Sequence, residues 1–262
     1  LLYWIGAFLA IYNLAKTMKQ GSFQDNEEAE GLPLSAQAMP TGKLHWHTAI
    51  ERKPIQLLVV SLIAVAIGGI IELVPTFLVE SNVPTIASVK PYTPLELQGR
   101  DIYVREGCYT CHSQMIRPFR DEEVRYGEHS KSGEFVYDHP FQWGSKRTGP
   151  DLHRIGNKYP DAWHYNHMRD PLETSPGSIM PAYPWLYTND LNTMNTPAKI
   201  RAMKKLGVPY PEDYDKACIA DLTNQAKTIA DGLAQNKIKA DPSKEIIAVI
   251  AYLQRLGTDI KK

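Results

Sequence analysis

IQLLVVSLIAVAIGGIIELVPTFLV, from Ile55 to Val79, holds a single ionisable side chain, Glu72. No other stretch restricts the fold of this chain so tightly. In water such a segment would have to be enclosed on every side, and soluble helices are seldom apolar all round for so long. At about 1.5 Å per residue it is long enough to cross a bilayer core of about 30 Å. The expectation is a transmembrane anchor helix over 55–79. Glu72 is costly there, about 2.5 kcal/mol or more at a helix centre on insertion scales. Gly68 and Gly69 precede it and Pro75 follows, so its face is expected to meet protein rather than lipid.

A second apolar stretch, LLYWIGAFLAIYNLA, opens the chain and stops before Lys16 and Lys19. It lacks the basic start and the small-residue cleavage site of a signal peptide. Residues 1–15 therefore read as the end of a truncated transmembrane helix. Lys16, Lys19, Lys43, Arg52 and Lys53 all lie between the two apolar stretches. The positive-inside rule places that connection, 16–54, in the cytoplasm. Its polar, Gly- and Pro-rich middle suits a flexible linker. Residues 80–262 are then delivered to the opposite, periplasmic face of a bacterial inner membrane. The mean hydropathy of -0.33 fits a soluble domain there. A formal net charge of +0 gives no reason to expect nucleic acid as a partner.

Two of the three cysteines stand in EGCYTCHSQMIRP, Glu106 to Pro118. Two thiols at this spacing can form a redox disulfide, half of a zinc site or, with histidine directly following, a covalent attachment site for haem. A structural zinc wants four ligands, and the remaining Cys218 is distant and without a neighbouring ligand pair. A thioredoxin-like motif should follow a strand, yet PLELQGRDIYVREG before Cys108 has a helical pattern. Haem fits best: Cys108 and Cys111 would each bind one vinyl group, leaving His112 placed to bind the iron from one face.

The iron needs a sixth ligand. SPGSIMPAYPWL sets Met180 in a Pro- and Gly-bracketed loop, and a thioether raises the potential as electron transfer requires. Met115, Met168, Met194 and Met203 read as core filler. His153, His164 or His167 would instead give a bis-histidine haem. His129 and His139 read as surface or loop residues, and Cys218 as a buried free thiol. Arg117, Arg120 and Arg147 lie close in sequence to these motifs, either as a solvated charge cluster or with at least one pairing with a haem propionate.

Helical patterns recur at TPAKIRAMKKLG, at YPEDYDKACIADLTNQAKTIADGLAQ and at PSKEIIAVIAYLQRLG. The last carries Ile246, Ile247, Ile250, Leu253 and Leu256 on one stripe, started at Asp241-Pro242 and stopped by Gly257. Residues 117–197 are loop-rich, and such loops often bury a cofactor or meet a partner. The fold class expected is mostly α: a transmembrane helix anchor plus an all-α cytochrome c-like domain with long loops.

EGCYTCHSQMIRPFRDEEVRYGE, YDHPFQWGSKRTGPDL and MPAYPWL resemble the monohaem subunit II of cbb3-type cytochrome c oxidases, and IGGIIELVP resembles its membrane anchor. The similarity runs from about His45 to the end. It implies that Cys108 and Cys111 attach one haem c, with His112 as proximal and Met180 as distal iron ligand. It further implies an electron relay from a dihaem cytochrome c subunit, or a soluble cytochrome c, to the catalytic subunit I. YWIGAFLAIYNLAKTM resembles the end of that catalytic subunit, which points to a fusion of the two. A membrane-tethered electron shuttle and the cytochrome subunit of a nitric oxide reductase are the alternatives.

Overall fold

A computed structural model describes residues 2–21, 46–78, 84–144 and 146–260. Most of the expected linker and Val79 lie outside these residues. The chain divides into two units, 1–68 and 69–262. The first contains α1 (Leu2–Gln20), α2 (Trp46–Glu51) and most of α3 (Pro54–Leu78). Helix α1 runs past the apolar run into Lys16 and Lys19, with Phe8, Ile11 and Leu14 exposed. Helix α3 is long and apolar enough to cross a membrane over Pro54–Thr76. Its apolar side chains are exposed, Ile55 at 76% and Val65 at 73%, so α3 is a transmembrane anchor. Glu72 is exposed on it.

The second unit continues through α4 (Pro94–Arg105), α5 (Arg120–Tyr126), α6 (Asp161–Arg169), α7 (Pro171–Thr174), α8 (Thr196–Lys205), α9 (Tyr214–Gln235) and α10 (Glu245–Arg255). Among the described residues no strand forms. One isolated bridge pairs Asp190 with Lys244. Helix α4 starts where its sequence dictates. Thr93 Oγ1 accepts from Glu96 N, the Glu96 carboxylate accepts from Thr93 N, and Pro94 occupies the first turn.

Helix α10 differs from the expected stripe. Ile246, Ile247, Ile250 and Leu253 are buried, but so are Ala248, Val249, Ala251 and Tyr252 between them. The intervening residues are apolar too, and α4, α6, α9 and the turn Pro184–Tyr187 enclose the helix. It also begins three residues after Asp241-Pro242. Asp241 caps a turn instead, accepting from Ser243 N at 2.9 Å and Ser243 Oγ at 2.7 Å, while Lys244 is held to Asp190. A smaller cluster joins Leu97 of α4 to Ile200, Met203, Val208, Tyr210 and Cys218, so Cys218 is buried as expected.

Gly99 makes the main crossing possible. A Cβ there would stand 1.9 Å from Ala248 O and 2.8 Å from Tyr252 Cβ. Backbone therefore meets backbone, and α4 and α10 fix the start and the end of the domain against each other.

Candidate functional site

The attachment motif begins where α4 ends. Glu106 is the C-cap, and Gly107 takes φ 71°, the left-handed region open to glycine. The 3-10 turn Cys108–Thr110 follows, and His112 N donates to Cys108 O at 2.9 Å. Both thiols are free. Cys111 is exposed, whereas Cys108 packs against the main core cluster. Burial, then the neighbouring Glu106 carboxylate, push the Cys108 thiol up to about 12, so it is neutral near pH 7.

The His112 ring is fixed on one side. Its Nδ1 lies 2.8 Å from Pro150 O. A carbonyl only accepts, so Nδ1 carries the proton and Nε2 keeps the free lone pair. Burial lowers the imidazole's pKa, favouring the neutral form a metal needs. Gly149 forms the floor, since a Cβ there would come within 2.3 Å of Cε1. Gly149 N donates to Cys111 O at 3.0 Å and Leu152 N to Ser113 O at 2.9 Å, stitching this loop to the motif.

Charged groups hold that loop from behind. Asp151 is buried and accepts from Ser113 Oγ at 2.6 Å, Met115 N at 2.9 Å and His153 N at 2.9 Å. Arg147 donates to Ser113 Oγ, to Met115 O and, at 2.7 Å, to Glu122. Arg117 also reaches Glu122, its backbone N at 2.8 Å. Arg147 first, with Arg117, holds the Glu122 carboxyl down at about 2. Two of the three arginines singled out from sequence thus converge on one buried carboxylate, while Arg120 is exposed at the start of α5.

This depressed pKa has a pH signature. The unfolded chain takes up the proton first as pH falls, so the stabilisation is complete above the ordinary value of 4.5 and fades towards 2. The stability advantage of wild type over Glu122→Gln should shrink across that window in urea titrations at stepped pH. A constant advantage would refute the assignment. Arg147→Ala at neutral pH should cost about 3 kcal/mol, because it strips a partner from a buried anion.

Met180 lies in the loop after Gly177, which takes φ 82°. It is half-buried, its N donates to Ser178 Oγ at 3.2 Å, and its side chain packs on the same core cluster as Cys108. The loop returns to α6 through Tyr183 N donating to Met168 O at 2.9 Å. Burial, then the thiols of Cys108 and Cys111, push the Tyr183 phenol up to about 12, and the ring packs on the same core cluster as Cys108 and Met180.

The histidines separate. His153 is tied to Ser130 Oγ at 2.5 Å and stacked on Phe135. His129 pairs with Glu123 at 2.6 Å. His139 is half-buried, its carbonyl accepting from Arg100. His167 Nδ1 meets Thr174 Oγ1 at 2.6 Å, and burial, then the neighbouring His112, lowers its pKa. His164 is buried, and its Nε2 is, among the described residues, the one buried side-chain N or O without a hydrogen-bond partner. Met168 and Met203 lie in the core and Met115 is half-buried, but Met194 is 84% exposed and fills no core. The correction follows from its place in the turn before α8. Pro150, Gly149 and Asp151 had no assigned role from sequence, although TGPDL contains all but the histidine they support.

The fold and the donor set define a class: a helical head on a membrane anchor, its first helix leading into C-x-x-C-H and its last crossing the first. This is a membrane-anchored c-type cytochrome. The model of the cytochrome c oxidase mono-haem subunit family, FixO, matches residues 47–260, and the chain belongs to that family. No curated relative matches the chain. Membership makes it the electron-transfer, mono-haem subunit of a cbb3-type oxidase and favours neither the free shuttle nor the nitric oxide reductase subunit. The residues present fit the haem the family carries: a thiol pair, a neutral imidazole with Nε2 free on a glycine floor, and a half-buried thioether.

Proposed function

We propose that Cys108 and Cys111 would hold the haem covalently, that His112 Nε2 and Met180 Sδ would bind its iron, and that the subunit relays electrons without reducing oxygen itself. The observation that carries this reading is the His112–Pro150 hydrogen bond, which leaves one lone pair free immediately after the cysteine pair. In attachment each S–H would add across one vinyl double bond, the C–S bond forming as the proton goes to the neighbouring carbon, with no net oxidation. When bound, the iron supplies one-electron chemistry. Gly149 and Pro150 orient the imidazole, and the Met180 thioether favours reduced iron.

Electrons would come from a dihaem cytochrome c subunit or a soluble cytochrome c and pass to catalytic subunit I. The head lies on the periplasmic face, on the support of Arg52 and Lys53 just before α3. The experiment is a haem stain of the denatured chain on a gel. Wild type should stain, and the Cys108→Ala, Cys111→Ala double variant should not. Stain persisting in the double variant would overturn covalent attachment.

A further inference from the structure

Met180 and the attachment motif lie about seventy residues apart in sequence, so something must keep their loops together. Trp185 follows Met180 in the 3-10 turn Pro184–Tyr187, and its Nε1 donates to Glu106 Oε2 at 2.9 Å. Glu106 is the residue that caps α4, two before Cys108. Its other oxygen accepts from Arg105 Nε at 2.8 Å. Arg105 in turn makes a two-pronged contact with Glu245 of α10, at 2.7 and 2.6 Å. Glu245 is buried. The acceptor that meets Trp185 is thus already aimed by a charged chain anchored in the core, and a hydrogen bond to a carboxylate is stronger than one between neutral groups.

The indole is 41% exposed, so core packing does not explain it. It meets Tyr183 edge to face at 5.5 Å, and Tyr183 packs on the same core cluster as Cys108 and Met180. Downstream, Asn189 O accepts from Glu245 N at 3.2 Å and Lys244 Nζ donates to Thr188 O at 3.0 Å. The return limb of the Met180 loop is therefore fastened to α10, and the Trp185–Glu106 bond fastens it to the haem motif.

We infer that Glu106 and Trp185 form a latch that holds the Met180 loop against the attachment motif, making both positioning residues for the distal ligand. The inference rests on Met180 being that ligand. Opening the latch raises the fraction of molecules in which an outside base can take the sixth position, and apparent affinity for that base rises in proportion.

The test is imidazole binding to the oxidised, haem-loaded full chain in detergent, read by the Soret shift and by loss of the sulfur-to-iron absorption band. Trp185→Phe keeps a ring and removes the donor. It should raise imidazole affinity about tenfold, the worth of one hydrogen bond to a charged group. Glu106→Ala should do the same, and the double variant should gain no more than either single one. Glu106→Gln keeps an acceptor but gives up the charge, so its affinity should fall between wild type and Glu106→Ala, about threefold above wild type. If Glu106→Ala fails to load haem, Trp185→Phe, distant from the thiols in sequence, still decides. Unchanged affinity in Trp185→Phe, or fully additive effects in the pair, would overturn the latch. Met180→Ala separates the two layers of the argument. It should lose the sulfur band and bind imidazole without competition. If wild type shows no such band and Met180→Ala binds imidazole as wild type does, the ligand reading falls and the latch with it. If Met180→Ala behaves as expected and the latch variants do not, only the latch falls.

Discussion

Gly99→Ala is expected to destabilise the head domain by at least about 3 kcal/mol, the upper part of the range for overpacked cores. The added methyl would sit 1.9 Å from Ala248 O, 2.5 Å from Ala248 C and 2.8 Å from Tyr252 Cβ. Each obstacle is backbone or a Cβ, so no rotamer change removes the clash. The helices must part, and α10 is the most enclosed element of the domain, with Ile247, Ile250 and Tyr252 at 0% exposure. The strain would also reach the site. Tyr252 packs edge to face on Tyr103 at 5.3 Å, and its hydroxyl and the Gln114 side chain hydrogen-bond two residues beyond His112. The direction of the effect is diagnostic, because helix propensity alone makes glycine to alanine stabilising by about 1 kcal/mol. Gly232→Ala in α9, where a Cβ meets nothing within 4 Å, is the matched control and should show that small gain. Denaturant unfolding of both variants checks the pair. A Gly99→Ala protein as stable as wild type would mean α4 and α10 do not cross this closely.

What the sequence made legible follows from how local each signal is. The capped start of α4, the anchor and the thiol pair with its histidine are each written within a few neighbouring residues. Helix α10 was legible as a helix but not as an enclosed one, since a stripe and a fully apolar cylinder share the same five residues. The loops between 117 and 197 were legible only as loops. They are held by buried charge: Arg154 pairs with Glu134 at 2.6 Å, and Arg147 with Glu122, across 20 and 25 residues that follow no period. A charged residue reads as surface unless its partner is known, which is why Arg147 looked like either a solvated cation or a propionate ligand. The Pro150 carbonyl that orients His112 was invisible for a different reason: every residue has a carbonyl, and only the folded loop selects one.

Met180→His should keep a six-coordinate, low-spin haem and lower its midpoint potential by roughly a few tenths of a volt, within the span of about 0.8 V that axial ligands command. Sulfur stabilises reduced iron, and imidazole lacks that preference. The substitution also separates Met180 from its rival. His164 is buried and its Nε2 has no hydrogen-bond partner among the described residues, the property a hidden nitrogen ligand would show. Its surroundings argue against that role, since the ring stands edge-on to Trp163 at 5.3 Å and to Tyr159 at 6.3 Å, and burial, then the charge of His167, lowers its pKa to about 4. A neutral imidazole between aromatic edges is a packed side chain as much as a donor. Met180 differs in being half-buried on a loop, against the cluster that also receives Cys108. Potentiometric titration of both proteins decides between them. If Met180→His leaves the potential unchanged and the sulfur-to-iron band was absent from wild type, a second histidine completes the iron and His164→Ala should then convert the haem to high spin. If the potential falls and the band disappears, Met180 is the ligand and His164 belongs to the core.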